Sequence, residues 1–126
     1  MNLKTTLKDE IEASGSLEDF GWRLANFLDA FYADPNVALI QEEPPFVKDR
    51  FARGEIVDAY AAATAESLAH RFSMPVPEWA DAQSRISEEP FFTMHSPAGR
   101  AFVLAYTPPE FKARHLFVGL EPLSRV

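Results

Sequence analysis

The amino-acid sequence predicts an all-α protein: a single compact domain of about five to seven helices, with a short extended or strand-like segment near the C-terminus. Two observations favour this fold class. Apolar side chains recur in several segments with the 3.6-residue period of helices that bury one face. Asp, Ser or Thr followed by Pro, a pair that starts helices, precedes three of these segments. The 126 residues contain no repeat and no dividing linker, so residues 1–126 are expected to form one domain.

The first two helices are predicted from an apolar stripe and a helix cap. Residues 2–13 carry apolar side chains at every fourth position on an otherwise charged segment, and Gly15 should end this helix. Ser16 is a good N-cap for a second helix, and Asp19 stands where a capping box wants an acid. From there the strongest apolar periodicity in the chain predicts a helix over residues 17–33.

The middle of the chain predicts a short helix and a long one. Asp34 and Pro35 form an N-cap and first-position proline for a helix over residues 35–43, and residues 46–53 should be an irregular or short helical connection. Residues 55–72 are alanine-rich and predict one uninterrupted central helix with a buried apolar arc. The side of this helix that we expect to face solvent comprises Glu55, Asp58, Ala62, Glu66, Ala69 and His70.

The second half of the chain is expected to alternate short helices and loops. In order, it should contain a helical turn near residues 77–79, a polar loop at 81–89, a helix at 97–106, a short helix from 109 to 114 or 115, and an apolar run at 116–118. The last run is too short to classify, because a small strand and an extended tail would both fit.

Composition excludes several kinds of chemistry. The chain has no Cys, which excludes disulfides, thiol catalysis and Cys-ligated zinc or iron–sulfur sites. No basic segment followed by an apolar run opens the sequence, and no apolar run is long enough to span a membrane. We therefore expect a soluble cytoplasmic protein with no membrane association.

The net charge of −7 is unevenly distributed. Residues 1–45 hold three basic and nine acidic side chains, a balance of −6, whereas residues 46–126 are nearly neutral. This charge disfavours long-range attraction to a nucleic-acid backbone. The acidic part could face a basic partner, or it could be a solvated surface that keeps the protein soluble.

Glu66 and His70 are the best sequence candidates for a metal or acid–base site. They are four residues apart on one side of the central helix, so their side chains could share a ligand or a proton. An ordinary surface pair has the same spacing. Because no other motif accompanies them, we predict no cofactor, and the metal site remains an alternative.

A second candidate is a basic and aromatic cluster near the C-terminus. Lys112, Arg114, His115 and Arg125 lie close in sequence to Phe111 and other apolar residues. Such a cluster could contact nucleic acid or an acidic partner. Plain packing with a solvated face is the alternative.

Four aromatic residues are candidates for contact with a partner protein. Trp22 projects away from the apolar face of the second helix, where we expect a neighbouring element such as the first helix to cover it. Trp79 follows a proline-rich segment, and the pair Phe91 and Phe92 must find cover on the core or on a partner.

The second half of the chain also resembles a known group of proteins. The central helix ends in LAHRF and leads into MPVPEW, and later segments read SPAGRAFVLAYTPPEFKARHLFV and LSRV. This order, over about residues 55–126, resembles a family of small uncharacterised bacterial proteins with the pattern LPVPxW, ESPxxFRRRNxFV and LSRA. The resemblance implies a gene paired with a nucleotidyltransferase-like or toxin partner, and it implies no catalytic residue. The chain departs from the pattern at residues 112–114, which are less basic.

The sequence leads to one main hypothesis and two alternatives. The main hypothesis is a non-enzymatic interaction or regulatory protein whose partner is another protein, in the sharpest form the antitoxin-like half of a bacterial gene pair. The first alternative is a small metal-binding protein or enzyme that uses Glu66 and His70. The second is a weak nucleic-acid-binding module that uses the C-terminal basic cluster.

Overall fold

The computed structural model describes residues 5–125 and places six α-helices and one pair of short strands in that range. The helices are α1 (Leu7–Ala13), α2 (Leu17–Ala33), α3 (Ala38–Gln41), α4 (Gly54–Arg71), α5 (Pro97–Tyr106) and α6 (Pro109–Lys112), with 3₁₀ turns at Glu78–Asp81 and Gln83–Arg85 and strands β1 (Phe91–Phe92) and β2 (Leu116–Phe117). The predicted all-α fold class, the single compact domain and the strand-like segment near the C-terminus are confirmed. No helix in residues 5–125 is long and apolar enough to cross a membrane.

Side-chain caps fix the starts of three helices. Thr6 accepts a hydrogen bond from the backbone N–H of Asp9 at 3.1 Å and forms a capping box with it, so α1 begins later than the predicted residue 2. The first three residues of the predicted helix, positions 2–4, lie outside the described residues. Ser16 and Ser96 cap α2 and α5, as the sequence predicts, through their hydroxyl oxygens.

Helix α3 is shorter than predicted. The side chain of Asn36 accepts a hydrogen bond from the backbone N–H of Ala38 at 2.9 Å, and the helix starts there, three residues after the expected position at Pro35. It ends at Gln41, before the two prolines at 44 and 45. The local turn around Asn36 therefore replaces the first turn of the predicted helix.

Helix α4 is buried on nearly all sides, which corrects the predicted solvent-facing side. Asp58, Ala62 and Ala69 are all buried, and Glu66 is half-buried. Elements α1, α2, α6, β2 and both 3₁₀ turns pack around this one helix. The small side chains of α4 allow neighbouring elements to approach closely on every face. The buried surface of the helix is therefore wider than the apolar arc that the sequence predicted.

The two strands pair in parallel, with Phe91 opposite Leu116 and Phe92 opposite Phe117. Helices α5 and α6 form the connection between them. The rings of Phe92 and Phe117 stack with centroids 4.9 Å apart. The strand pair thus fixes both ends of the 91–117 segment and holds α5 on the outside of the molecule.

The 81–89 stretch, predicted as a polar loop, also needs correction. It contains a 3₁₀ turn, and the side chain of Arg85 within it is 0 % exposed. The Arg85 guanidinium reaches the backbone carbonyl oxygens of Pro44 and Asp58 and lies over the rings of Phe46 and Trp79. Hydrogen bonding and stacking together allow this charged side chain to be buried.

Candidate protein-interaction surface

Helix α5 exposes several large apolar side chains. Only Gly99 and Val103 among its ten residues are buried. Its exposed large side chains, together with one neighbour, form what we call the α5 patch: Met94 (45 % exposed), Phe102 (42 %), Leu104 (47 %) and Tyr106 (55 %). The rings of Phe102 and Tyr106 contact each other with centroids 5.0 Å apart. Exposed apolar side chains that contact one another, as these two rings do, mark interaction surfaces more often than isolated exposed residues do.

Basic groups border the α5 patch. Residues 90–109 contain no Asp or Glu, although the whole chain carries a charge of −7. The Arg100 guanidinium lies 4.6 Å from the centroid of the Phe92 ring. Lys112 donates a hydrogen bond from Nζ to the carbonyl oxygen of Ala105 at 3.1 Å, near the C-terminal end of α5. The patch is therefore apolar with a basic edge.

The sequence predicts the α5 helix at residues 97–106 but does not identify its outer face as a surface. A signal was present, because Arg100 is the helix's one charged residue and no polar stripe marks a solvent side. A helix that is apolar all round is normally buried. Here the two short flanking elements β2 and α6 are too small to cover α5. The periodicity of the sequence could not reveal the size of these neighbours.

A second apolar feature is a half-open groove of about 320 Å³ along α2, which we call the α2 groove. Leu24, Leu28, Ile56 and Phe91 provide apolar walls, with Gly21 on the α2 side. Its polar lining groups include Tyr60 and Arg125. The volume of the α2 groove falls at the small end of the range for ligand sites. Its apolar walls with a few polar groups are typical of such sites.

Trp22 is 77 % exposed, so the prediction that a neighbouring element covers it is wrong. It remains a partner-binding candidate. Trp79 is half-buried instead: its Nε1 donates to the carbonyl oxygen of Gln41 at 3.1 Å, and its ring lies under the Arg85 guanidinium. Trp79 therefore already makes contacts inside the protein.

Phe91 and Phe92 are half-buried in the strand pair. Phe91 lines the α2 groove, and the Arg53 guanidinium lies 5.1 Å from its ring centroid. Phe92 lies between Phe117 and Arg100. The sequence predicted that both rings must be covered, and residues of this chain cover part of each ring.

The structure gives Glu66 and His70 different partners. Glu66 accepts a hydrogen bond from Nη1 of Arg114 at 2.9 Å. His70 Nδ1 and Glu110 Oε2 lie 2.8 Å apart. Two separate polar links therefore connect α4 to the α6 region, and the geometry does not direct the two side chains at a shared ligand. Within residues 5–125, no group of three His, Cys, Asp or Glu side chains is placed to hold a metal ion.

The C-terminal basic residues do not form a free basic surface within the described chain, which corrects the surface position assumed for Arg114. Arg114 is buried, and its guanidinium donates to the carbonyl oxygens of Ala80 and Glu110, both at 2.7 Å, in addition to Glu66. His115 is exposed, and its Nδ1 lies 2.7 Å from the Ser87 carbonyl oxygen.

The other two members of the cluster also have partners. Lys112 reaches Ala105, as described above. Arg125 binds both carboxylate oxygens of Asp29, through Nε at 2.9 Å and Nη2 at 3.2 Å. The four basic side chains therefore point to different places, and their closeness in sequence does not become one binding surface.

No protein-family model, no curated protein and no solved structure matches the chain. The resemblance to the small bacterial family therefore stays a prediction, and the following proposals rest on the geometry of residues 5–125.

Proposed function

We propose that this protein is a non-enzymatic interaction protein that binds another protein through the α5 patch. The observation that carries the proposal is the exposure of Phe102, Leu104 and Tyr106 on one short helix with no acidic neighbour between residues 90 and 109. A few residues supply most of the binding free energy in protein interfaces, and aromatic side chains are enriched at the interface core.

The basic edge of the patch defines the partner. Arg100 and Lys112 would meet acidic side chains that border an apolar groove or helix on the partner. A second copy of this chain fits less well. A symmetric contact between two α5 helices would bring the same two cations of each copy towards each other, and like charges across an interface are unfavourable.

In its sharper form, the proposal makes the protein a regulator, antitoxin-like, whose binding suppresses a partner encoded beside it. The family resemblance alone supports this form. We place the interaction in the cytoplasm, which suits a chain with no Cys.

The experiment starts with a tagged chain expressed in its own host at native level. A protein that co-purifies in near-equal amount is identified, purified and titrated calorimetrically against the wild type and against the variant Phe102→Ser/Leu104→Ser. We expect the double variant to weaken binding at least tenfold, since it would remove two of the exposed apolar side chains that the patch offers to a partner.

The matched control is Leu120→Ser, because Leu120 is 58 % exposed but lies outside the α5 patch. It should bind as the wild type does. Equal affinities for the double variant and the wild type would overturn the proposal. A dimer of this chain alone that the double variant dissociates would replace the foreign partner with a second copy.

A further inference from the structure

The side-chain hydroxyl of Thr107 attaches α5 to another segment of the chain. Thr107 is the C-cap of α5 and is buried, at 3 % exposure. Its Oγ1 donates a hydrogen bond to the carbonyl oxygen of Val103 at 2.6 Å and accepts hydrogen bonds from the backbone N–H groups of Val118 at 3.1 Å and Gly119 at 3.0 Å. A hydroxyl has one donor and two acceptor sites, so all of them are used here. This single group connects the last turn of α5 to the segment that follows β2.

The other attachments of α5 are weaker. Val103, its one large buried side chain, lies apart from the cluster of buried side chains that forms the core. Lys112 donates to the carbonyl oxygen of Ala105, but this hydrogen bond is exposed to solvent. The Arg100 guanidinium, which lies over the Phe92 ring, belongs to an exposed residue. Within residues 5–125, Thr107 therefore makes the least exposed hydrogen bonds between α5 and another segment.

We infer that Thr107 is the positioning residue of the α5 patch. Its hydroxyl holds α5 in the docked position that the structure shows, and the patch is thereby presented to the partner as a preformed surface. Without the hydroxyl, the backbone N–H groups of Val118 and Gly119 lose their acceptor, and α5 also occupies undocked positions. Because only docked molecules offer the patch, the affinity for the partner falls by the docked fraction.

The inference has two parts that fail separately. The effect on affinity rests on the proposed function, because it requires a partner at the α5 patch. The role of the hydroxyl in holding α5 requires no partner and is measured on the protein alone.

Substitutions at Thr107 separate the hydroxyl from the rest of the side chain. Thr107→Ser keeps the hydroxyl and is the matched control. Thr107→Val has nearly the same shape but can neither donate nor accept a hydrogen bond. Thr107→Ala also removes the hydroxyl and introduces no new atom, so it takes the place of Thr107→Val if that variant does not fold.

The first measurement follows the position of α5 without a partner. The chain has no Cys, so spin labels can be attached specifically at Ala101→Cys on α5 and Asn26→Cys on α2, both exposed positions. Double electron–electron resonance should give one narrow distance distribution with Thr107 and with Thr107→Ser. In Thr107→Val we expect that distribution to retain only about a tenth to a third of the molecules, the rest having other distances.

A second pair of labels separates movement of α5 from general loosening. Asn26→Cys and Ser84→Cys lie on α2 and on the second 3₁₀ turn, and the distance between them should be the same in all the variants. A merely structural role of Thr107 would change the distances of both pairs, or of neither pair. Either result would overturn the inference.

The second measurement connects the position of α5 to binding. The partner isolated for the proposed function is titrated against each Thr107 variant. Thr107→Val should weaken binding about three- to tenfold, by the reciprocal of its docked fraction, and Thr107→Ser should bind within about twofold of the wild type.

The outcomes distinguish this inference from the proposed function. If α5 moves in Thr107→Val but the affinity for the partner is unchanged, the positioning role is wrong and the proposed function stands. If the variant Phe102→Ser/Leu104→Ser binds as the wild type does, the proposed function and the effect on affinity both fail. The distances would then still decide whether the Thr107 hydroxyl holds α5.

Discussion

Arg85 donates a hydrogen bond from Nη1 to the backbone carbonyl oxygen of Asp58 at 3.3 Å, although one residue comes from a 3₁₀ turn and the other from the second turn of α4. The Asp58 carboxylate in turn accepts hydrogen bonds from the backbone N–H groups of Val47 (2.8 Å) and Lys48 (3.1 Å). These two buried side chains therefore hold the irregular 44–48 segment against the central helix.

The first prediction concerns Arg85. Replacement by Met keeps the side-chain length but removes the hydrogen bonds to Pro44 and Asp58, so two buried carbonyl oxygens lose a donor. We expect the free energy of unfolding at pH 7 to fall by about 2–4 kcal/mol, measured by urea denaturation.

Arg50→Met is the control, because Arg50 is exposed, and it should change the free energy of unfolding by less than about 0.5 kcal/mol. Arg85→Lys keeps the charge but not the planar fork, and it should also destabilise. Wild-type stability in Arg85→Met would show that the buried guanidinium is dispensable.

A pair of glycines gives opposite predictions for the same substitution. A Cβ at Gly54 would lie 2.1 Å from the backbone carbonyl oxygen of Val47, so Gly54→Ala must displace a backbone segment. We expect it to cost at least about 2 kcal/mol of unfolding free energy. Gly21→Ala meets no atom within 4 Å and should stabilise by up to about 1 kcal/mol, because Ala is the better helix former. Thermal and urea unfolding of both variants would check the signs, and a stable Gly54→Ala protein would refute the close contact.

The sequence was sufficient for helices with clear caps or strong periodicity. Ser16 and the apolar stripe placed α2 at Leu17–Ala33, and Ser96 with Pro97 placed α5 at Pro97–Tyr106. Both signals act within one or two turns, so they need no tertiary information.

Contacts between distant segments could not be predicted in this way. The buried position of Arg85 depends on Pro44, Phe46 and Asp58, which are about 27 to 41 residues away. The pairing of β1 with β2 likewise depends on a 23-residue connection. The sequence did not identify the α5 patch for a related reason. The exposure of α5 depends on how much of its surface the neighbouring elements cover, and those contacts join distant segments.

The third prediction tests the burial of α4 on the side that the sequence assigned to solvent. Ala62 is 0 % exposed, so Ala62→Leu adds three carbons where there is no space. We expect a loss of about 1–3 kcal/mol in the free energy of unfolding. Ala101→Leu, on the exposed part of α5, should be neutral within about 0.5 kcal/mol. If the two variants were equally stable, Ala62 would lie on a solvent-facing side of α4, as the sequence predicted, and its burial would be contradicted.

The fourth prediction is a pH dependence. Burial raises the pKa of Tyr60 to about 12 in the folded protein, above the ordinary value of 10.0 that applies to the unfolded chain. The folded state therefore holds this proton more tightly, and its contribution to stability is complete below pH 10 and is lost as the pH rises from 10 to about 12. Phenolate absorbance against pH should show one Tyr that titrates near 12, and Tyr60→Phe should remove that step. Titration of all three Tyr near pH 10 would contradict the burial.

The central claim is that the α5 patch contacts another protein, and site-specific photo-crosslinking in the host tests it most directly. A photo-reactive amino acid is placed at Leu104 in the patch and, in a parallel strain, at Leu120 outside it. We predict one heavier product from position 104 that contains this chain and one other protein, and no such product from position 120. A product that joins two copies of this chain, or the same partner captured equally from position 120, would contradict the account.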